Sequence, residues 1–263
     1  MNKRHFINSV IGTAICIGVL GTTVAQADVL ADATKAGVLR VAVPQDFPPF
    51  GSVGPDLKPR GYDIDVANLI GRELKLKVEL IPVSSTNRIP YITTGKADLV
   101  ISSLGKNPDR EKVLDFSIPY APFYNGIFGA ADVSVKSAAD TAGKTVGVTR
   151  GSVEDLEFSK IAPATATIKR YEDNNATISA YLSGQVQLIA TGNVVAAAIN
   201  EQSKGKKLDT KFLIKDSPCF VGVNKGEAAL LAKVNEIITK LKQSGDLNQV
   251  SERWLHAPLP ATL

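Results

Sequence analysis

The sequence predicts an α/β fold made of two similar units, each with three strands and the helices between them. Two observations lead to this prediction: short apolar runs alternate with amphipathic stretches, and the same order of elements occurs twice along the chain. Strands that alternate with helices form a mainly parallel sheet whose faces the helices cover. Two units of about 90 residues each suit two compact lobes better than one extended sheet.

The first unit begins with the apolar run 39–43, which is typical of a buried strand, and continues through a loop rich in glycine and proline. A helix is predicted from about Asp63, because apolar residues then recur at spacings of three and four, namely Ile64, Ala67, Ile70 and Leu74. The runs 77–83 and 99–102 are predicted strands, and 87–94 is a predicted short helix between them.

The second unit repeats this order after Gly143 without repeating the sequence. Strands are predicted at 145–149, 167–171 and 187–191, and helices at 151–159, 175–183 and 194–203.

Two extended segments, 118–126 and 213–223, join the units, and an amphipathic helix at about 228–244 follows the second segment. If this helix packs on the first unit, the chain crosses twice, which makes a hinge beside a cleft. We therefore predict lobe 1 from 28–120 and 219–263, lobe 2 from 125–213, and hinge crossings at 121–124 and 214–218. The alternative is two independent domains on a plain linker.

The first 27 residues have the pattern of a cleavable signal peptide. Two basic residues precede a short apolar run from 11 to 24, and Ala25-Gln26-Ala27 fits the small-x-small cleavage pattern. The run is too short for a permanent membrane anchor. Cys16 suggests a lipoprotein instead, but Ile15 is bulkier than the residue expected before a lipid-modified cysteine. We expect an exported mature chain that begins at Asp28.

Composition excludes several classes of function. The chain has 30 basic and 26 acidic residues, so loss of the two basic residues in the leader leaves 28 minus 26, or +2. This balance argues against binding nucleic acid. After processing, Cys219 and His256 are the remaining cysteine and histidine, so no zinc site, catalytic triad or disulfide can be built. We expect no metal, no cofactor and no catalytic residues, and a buried, inert thiol at Cys219.

Ligands of open α/β sheets lie beyond the carboxyl ends of the strands. The loops at these ends are rich in hydroxyl groups, glycine and arginine, and aromatic residues such as Phe47 occur in one of them. Arg110 follows a turn of small residues that includes Ser103 and Gly105. An arginine fork that faces hydroxyl and backbone N–H groups can hold a carboxylate. The alternative is a solvated arginine within the charged run 109–112.

The stretch from Gly61 to Tyr120 resembles the amino-acid-binding branch of the bacterial extracellular solute-binding proteins, family 3. The segments 61–67, Pro108-Asp109-Arg110 and Leu114-Asp115-Phe116-Ser117-Ile118-Pro119-Tyr120 carry the resemblance, which extends from Gly37 to Leu255. It implies the periplasmic-binding-protein type II fold, with a ligand cleft between two hinged lobes. It also implies a monomer in the periplasm that captures a polar amino acid for an inner-membrane ABC permease.

The resemblance assigns roles to residues of the cleft. It implies that Arg110 grips the α-carboxylate of the ligand, with Ser103 and Gly105 as turn contacts, although serine or threonine is usual at Gly105. Ser152 resembles the second carboxylate contact, and an ordinary helix N-cap is compatible with that role. Thr149 matches a further ligand-contacting position of the acidic-amino-acid binders.

Ser85 and Arg88 resemble positions at which the glutamate/aspartate-binding subgroup meets the side-chain carboxylate of its ligand, which favours an acidic amino acid. Alternatively, Arg88 caps or salt-bridges the start of a helix. Gly192 departs from the family, which usually has an aspartate there for the α-ammonium. Because an unpaired buried ammonium is costly, another acid reaches in or the ligand lacks a free amino group. The candidate acids are Asp46, Glu154 and Asp173.

Two other functions fit the same scaffold. A cyclohexadienyl-dehydratase-like enzyme would need an acid in the cleft, such as Glu154 or Asp173, to protonate a leaving group. A receptor for signalling or adhesion would bind a ligand without delivering it to a permease.

Overall fold

The computed structural model describes residues 28–202 and 207–263. The predicted signal peptide, residues 1–27, lies outside these ranges, as does the end of the helix predicted at 194–203. No helix in the described ranges is long and apolar enough to cross a membrane.

Helices and strands alternate through most of the described chain. The helices are α1 (Val29–Ala36), α2 (Tyr62–Leu74), α3 (Arg88–Thr93), α4 (Pro108–Glu111), α5 (Val153–Ile161), α6 (Asn174–Leu182), α7 (Asn193–Gln202), α8 (Ala228–Ser244) and α9 (Asp246–Leu255). The strands are β1 (Val38–Pro44), β2 (Asp46–Phe47), β3 (Gly51–Val53), β4 (Pro59–Arg60), β5 (Lys77–Val83), β6 (Leu99–Val100), β7 (Leu114–Ala121), β8 (Tyr124–Gly129), β9 (Thr145–Thr149), β10 (Thr167–Tyr171), β11 (Leu188–Gly192), β12 (Asp209–Asp216) and β13 (Cys219–Asn224).

Two five-stranded sheets organise the molecule, with orders β5-β1-β6-β13-β7 and β10-β9-β11-β8-β12. In the first sheet β1 is parallel to β5 and β6, and β13 is antiparallel to its two neighbours. In the second sheet β9 is parallel to β10 and β11, and β8 is antiparallel to its neighbours. The predicted α/β class is confirmed. We call the elements around the first and second sheets unit 1 and unit 2.

The burial of strand β1 explains why the sequence 39–43 is mostly apolar. Leu39, Val41 and Val43 belong to one buried cluster, together with residues of α2 and α8. Ala42 belongs to another, together with Ile92 of α3. Successive side chains of a strand point to opposite faces, so both faces of β1 are covered, and its residues are apolar except for Arg40.

The chain passes between the two sheets twice, at residues 122–123 after β7 and at 217–218 after β12. The two crossings lie side by side, because the N–H of Ser217 donates to the carbonyl of Phe123 at 3.0 Å. Helix α8 then packs against β7 and α2, so the end of the chain returns to unit 1.

The segment between β1 and α2 is more regular than the predicted loop. Strands β2, β3 and β4 form a small antiparallel sheet in it. The ring of Phe47 in this sheet stacks on the ring of Phe50, with the centroids 6.1 Å apart. The same ring packs against Phe123 of the first crossing, also with a centroid distance of 6.1 Å. The predicted loop, rich in glycine and proline, therefore contains three short strands that were not predicted, because strands of two or three residues show no periodic pattern.

A buried carboxylate at the start of α2 fixes the turn that follows β6. Asp63 accepts hydrogen bonds from the N–H of Ser103 at 2.7 Å and from the hydroxyl of Tyr120 at 2.6 Å. Ser103 has a φ of 41°, in the left-handed region that favours glycine. Such a conformation costs on the order of 1–3 kcal/mol, and the hydrogen bond to Asp63 helps to offset it.

Burial raises the pKa of Asp63 to about 7, although its two hydrogen bonds and the charge of Arg88 oppose the shift. In the unfolded chain an aspartate titrates near pH 4, at about 3.9. Between these values the folded protein keeps a proton that the unfolded chain has released. The stability that Asp63 contributes is therefore present below about pH 4 and is lost as the pH rises through about 7.

We expect the wild type to lose stability relative to the Asp63→Asn variant as the pH rises. The difference between their unfolding free energies, wild type minus variant, should fall by about 3 kcal/mol between pH 4 and pH 8. Urea titrations at each pH would measure it. Asp209→Asn, at an exposed position of β12, is the control, and its difference from the wild type is not expected to fall through this range. A constant difference for Asp63→Asn would contradict the assignment.

Candidate functional site

A small cavity lies between the two units, next to the chain crossings. Its walls come from the ends of strands and helices in both units, as expected for a ligand site at the carboxyl ends of strands. Unit 1 contributes Phe47, Ser85, Arg88 and Ser103, the crossings contribute Phe123 and Ser217, and unit 2 contributes Asn125, Ser152, Val153 and Glu154.

Five of the eight residues predicted for the site line this cavity: Phe47, Ser85, Arg88, Ser103 and Ser152. Gly105, Arg110 and Thr149 do not line it, and all three are buried. Sequence reasoning did not select Phe123, Asn125, Val153 or Ser217. Phe123 and Asn125 fall within one predicted crossing segment and Ser217 within the other, which was the available signal.

Arg88 is the first residue of α3, and its guanidinium is held by the loops beside the cavity. It donates to the carbonyl and the hydroxyl of Ser85, at 3.3 Å and 2.6 Å, and to the carbonyl of Ser102 at 2.6 Å. Burial lowers its pKa, while the charges of Glu154, Asp46 and Asp63 oppose the shift. Three of its five N–H donors are used in this way, and the other two have no hydrogen bond among the described residues.

Arg110 connects the two units. Its guanidinium donates to the carbonyl of Gly105 in unit 1 at 2.8 Å and to the carbonyl of Gly151 in unit 2 at 3.1 Å. Burial lowers its pKa to about 9, with the charge of Arg88 as the next cause. Two buried guanidinium groups therefore repel each other at this site, and a bound anion would relieve that repulsion.

The turn before α5 has its capping groups in use. The hydroxyl of Ser152 accepts from the N–H of Asp155 at 3.1 Å, and the N–H of Gly151 donates to the Asp155 carboxylate at 3.1 Å. Ser152 is thus the N-cap of α5 and also a wall of the cavity. The two interpretations of Ser152 are compatible, although the N–H of Gly151 is engaged within the turn.

Thr149 belongs to a chain of hydrogen bonds that crosses between the units. Its hydroxyl donates to Oδ1 of Asn174 at 2.8 Å and lies 2.8 Å from the hydroxyl of Thr177. The N–H of Asn174, the first residue of α6, donates to the carboxylate of Asp46 in unit 1 at 2.7 Å. Asp46 is buried in this contact, and burial raises its pKa.

Gly192 cannot be replaced by a larger residue without moving Phe123. A Cβ atom at position 192 would lie 1.9 Å from Cζ of the Phe123 ring. Gly105 is crowded in the same way, because a Cβ there would lie 2.2 Å from the hydroxyl oxygen of Ser217. The hydroxyl that Gly105 lacks is therefore present nearby, on Ser217.

Of the three candidate acids, Glu154 lines the cavity. Asp46 and Asp173 border a separate groove, and Asp173 accepts from the N–H of Ala176 as the N-cap of α6. Burial raises the pKa of Glu154, opposed by its own N–H, Ser152, Arg88 and Arg110.

In the part of the chain that the structure describes, no group of three or more histidine, cysteine, aspartate or glutamate side chains could hold a metal ion. Cys219 is buried, as predicted, and burial raises the pKa of its thiol. A protonated, inaccessible thiol is a poor nucleophile.

Known proteins are similar to this chain in sequence and in fold. The family model for bacterial extracellular solute-binding proteins, family 3, matches residues 39–257. The L-cystine-binding protein TcyJ of Escherichia coli (strain K12) is 24% identical over 258 residues, which cover 97% of this chain and 96% of that protein. The L-glutamate/L-aspartate-binding protein of Pseudomonas aeruginosa is 28% identical over 277 residues, which cover 96% and 89%.

A solved structure supports the same relationship. The ancestral amino acid-binding protein AncCDT-1, a precursor of cyclohexadienyl dehydratase, matches with a TM-score of 0.79 and 28% identity, over 87% of this chain and 100% of that one. This chain shares the type II periplasmic-binding-protein fold with its solved structural neighbours. The chain, with its two crossings and its polar cavity, belongs to the bacterial extracellular solute-binding proteins, family 3.

Proposed function

We propose that this protein captures a small polar amino acid between two lobes and delivers it to an inner-membrane ABC permease. The observation that carries the proposal is a pair of buried guanidinium groups between the units. Arg88 lines the small cavity, and Arg110 lies outside its wall but near enough for the charge of Arg88 to act on it. Arginine forks are suited to carboxylates, and the hydroxyl groups of Ser85, Ser103 and Ser152 add neutral hydrogen-bonding capacity. Catalytic residues are not required for this role.

Lobe closure is the mechanism we propose for capture. The lobes would be residues 28–120 with 219–263, and residues 125–213, with hinges at 121–124 and 214–218. Three contacts between the units support a closed arrangement: Arg110 to the Gly151 carbonyl, Asn174 to Asp46, and Lys215 to the Lys106 carbonyl at 2.7 Å. Opening would break these hydrogen bonds, and a ligand that contacts both lobes would favour closure.

The ligand we propose is an α-amino acid, and an acidic one is the first candidate. Arg110 would hold the α-carboxylate, together with the turn at Ser103 and Gly105 and the start of α5 at Ser152. The two unused donors of Arg88, beside Ser85, favour a second carboxylate. The relatives named for cystine and for glutamate or aspartate support the class of ligand rather than one member.

Export completes the proposal. The leader at residues 1–27 would be cleaved after Ala27 and release a monomer into the periplasm, where family members deliver amino acids to their permeases. The family match and the relatives support this location and partner.

A thermal-shift screen of purified residues 28–263 tests the proposed function. The protein should first be unfolded and refolded to remove any bound ligand, and then heated with each standard L-amino acid, with dicarboxylates and with D-enantiomers as matched controls. A ligand at 100 times its Kd adds about 2.7 kcal/mol to the folded state, which corresponds to a rise in Tm of roughly 5–10 °C. No rise with any L-amino acid would refute amino-acid capture.

Replacement of Arg110 tests the carboxylate contact. We expect Arg110→Ala to weaken binding of the L-amino acid identified in the screen by about 2–5 kcal/mol, because a buried carboxylate loses its charged partner. Isothermal titration calorimetry would measure the change. Arg72→Ala is the control, since Arg72 is exposed and pairs with Asp246 on the outer surface of unit 1. Unchanged affinity in Arg110→Ala would remove Arg110 from the site.

A dehydratase is the second candidate function, and Glu154 is the observation that favours it. A buried carboxyl group with a raised pKa, facing a cavity, has the properties of a general acid. AncCDT-1, named as a precursor of such an enzyme, shares the scaffold. Under the main proposal, we expect no product when the protein is incubated with prephenate or arogenate. Product formation that is lost in Glu154→Gln would instead establish the enzyme.

A further inference from the structure

Two polar side chains in the cavity wall have no hydrogen-bond partner among the described residues. Asn125 is 1% exposed, and neither its Nδ2 nor its Oδ1 has a hydrogen-bond partner in this part of the chain. Ser217 is 4% exposed, and its Oγ also has none. A buried polar group without a partner costs on the order of 1–3 kcal/mol. Three such atoms in the wall of one cavity therefore indicate a partner that comes from outside the chain.

The backbone places Asn125 on the cavity face of unit 2. Asn125 of β8 lies directly opposite Gly192 of β11, so the two positions share one face of the sheet. Phe123, two residues before Asn125, covers Gly192 with its ring. Gly192 thus contributes no side chain, and the Asn125 amide is the polar group at this point of the wall.

Ser217 joins this position to the turn that Arg110 holds. Its N–H donates to the carbonyl of Phe123, and its hydroxyl oxygen lies against Gly105. The carbonyl of Gly105 is the one that accepts from Arg110 at 2.8 Å. The unpartnered groups therefore lie next to the proposed carboxylate contact. An α-amino acid requires this arrangement, because its carboxylate and its ammonium group are bonded to the same carbon.

Glu154 supplies a negative charge to the same cavity. Glu154 is one of the residues of the wall that Asn125 and Ser217 also line. Among the described residues, it has no lysine or arginine nitrogen within 4.0 Å, so no direct ion pair neutralises it. A buried carboxylate without such a partner favours a cationic group on the ligand.

We infer that Asn125, Ser217 and Glu154 form an ammonium subsite, an inference that rests on the proposed function. An ammonium group has three N–H donors, and Oδ1 of Asn125, Oγ of Ser217 and a carboxylate oxygen of Glu154 provide three acceptors. Nδ2 of Asn125 then remains free to donate to the carboxylate of the same ligand. The subsite selects zwitterionic α-amino acids and rejects the 2-hydroxy acids of the same carbon skeleton.

Calorimetry with matched ligand pairs tests the subsite. Each pair differs at C2, where one member has an ammonium and the other a hydroxyl: L-alanine and L-lactate, L-aspartate and L-malate, L-glutamate and L-2-hydroxyglutarate. We expect the wild type to bind the amino acid of at least one pair about 30-fold or more tightly than the hydroxy acid. Glu154→Gln and Asn125→Leu should lose most of this preference, and Ser217→Ala should reduce it several-fold.

Two variants separate recognition from folding. Asn125→Asp keeps an acceptor at the site and should retain the preference for the amino acid. Asn125→Leu removes two unpartnered polar atoms, so its ligand-free Tm should equal or exceed that of the wild type. Glu172→Gln is the matched control for Glu154→Gln, because Glu172 is exposed and pairs with Arg150 outside the cavity, and its preference should not change.

The outcomes distinguish the subsite from the proposed function. Equal affinity for both members of every pair that binds, or an equal loss for both members in Glu154→Gln, would overturn the subsite and leave carboxylate capture standing. Binding of the hydroxy acids without binding of the amino acids would also overturn the subsite and leave carboxylate capture standing. If neither these pairs nor any standard L-amino acid binds the wild type, amino-acid capture fails, and the ammonium subsite fails with it.

Discussion

The burial of Arg110 between the units is the constraint on which the site depends. Its guanidinium spans from the Gly105 carbonyl to the Gly151 carbonyl, so one charged group holds the turn after β6 and the turn before α5 together. Burial, and then the charge of Arg88, lower its pKa to about 9, because a buried charge beside a like charge is unfavourable. Arg88 is a second buried cation close to Arg110. Two buried like charges are unfavourable, so the pair favours binding of an anion.

The crossings do more than connect the two sheets, because they also supply residues of the cavity wall. Phe123 and Ser217, one in each crossing, line the cavity, and Asn125 follows at the start of β8. Glycine at positions 105 and 192 makes room for Ser217 and Phe123, so these four residues depend on each other sterically. Under the proposed lobe closure, a change in lobe orientation would move these side chains and so alter the wall of the cavity.

Local patterns predicted much of the fold, and the physical reason differs between elements. The predicted strands at 77–83, 145–149 and 167–171 and the predicted helix at 228–244 have the observed bounds, because burial of a strand or one helix face produces a regular pattern. The small sheet of β2, β3 and β4 gives no such pattern. The family resemblance is confirmed, while the roles of Arg110, Ser103 and the other site residues remain proposals.

The sequence by itself determined the α/β class, the family and the group of loops that carry hydroxyl groups and arginines, since each depends on local order along the chain. Tertiary structure alone decided which side chains face the cavity. It placed Gly105, Arg110 and Thr149 outside the cavity wall and put Glu154, rather than Asp46 or Asp173, in that wall. It also left Asn125 and Ser217 without hydrogen-bond partners in the part of the chain that the structure describes. The reason is that hydrogen bonds between distant segments, such as Asn174 to Asp46 and Ser103 to Asp63, satisfy some polar groups and not others.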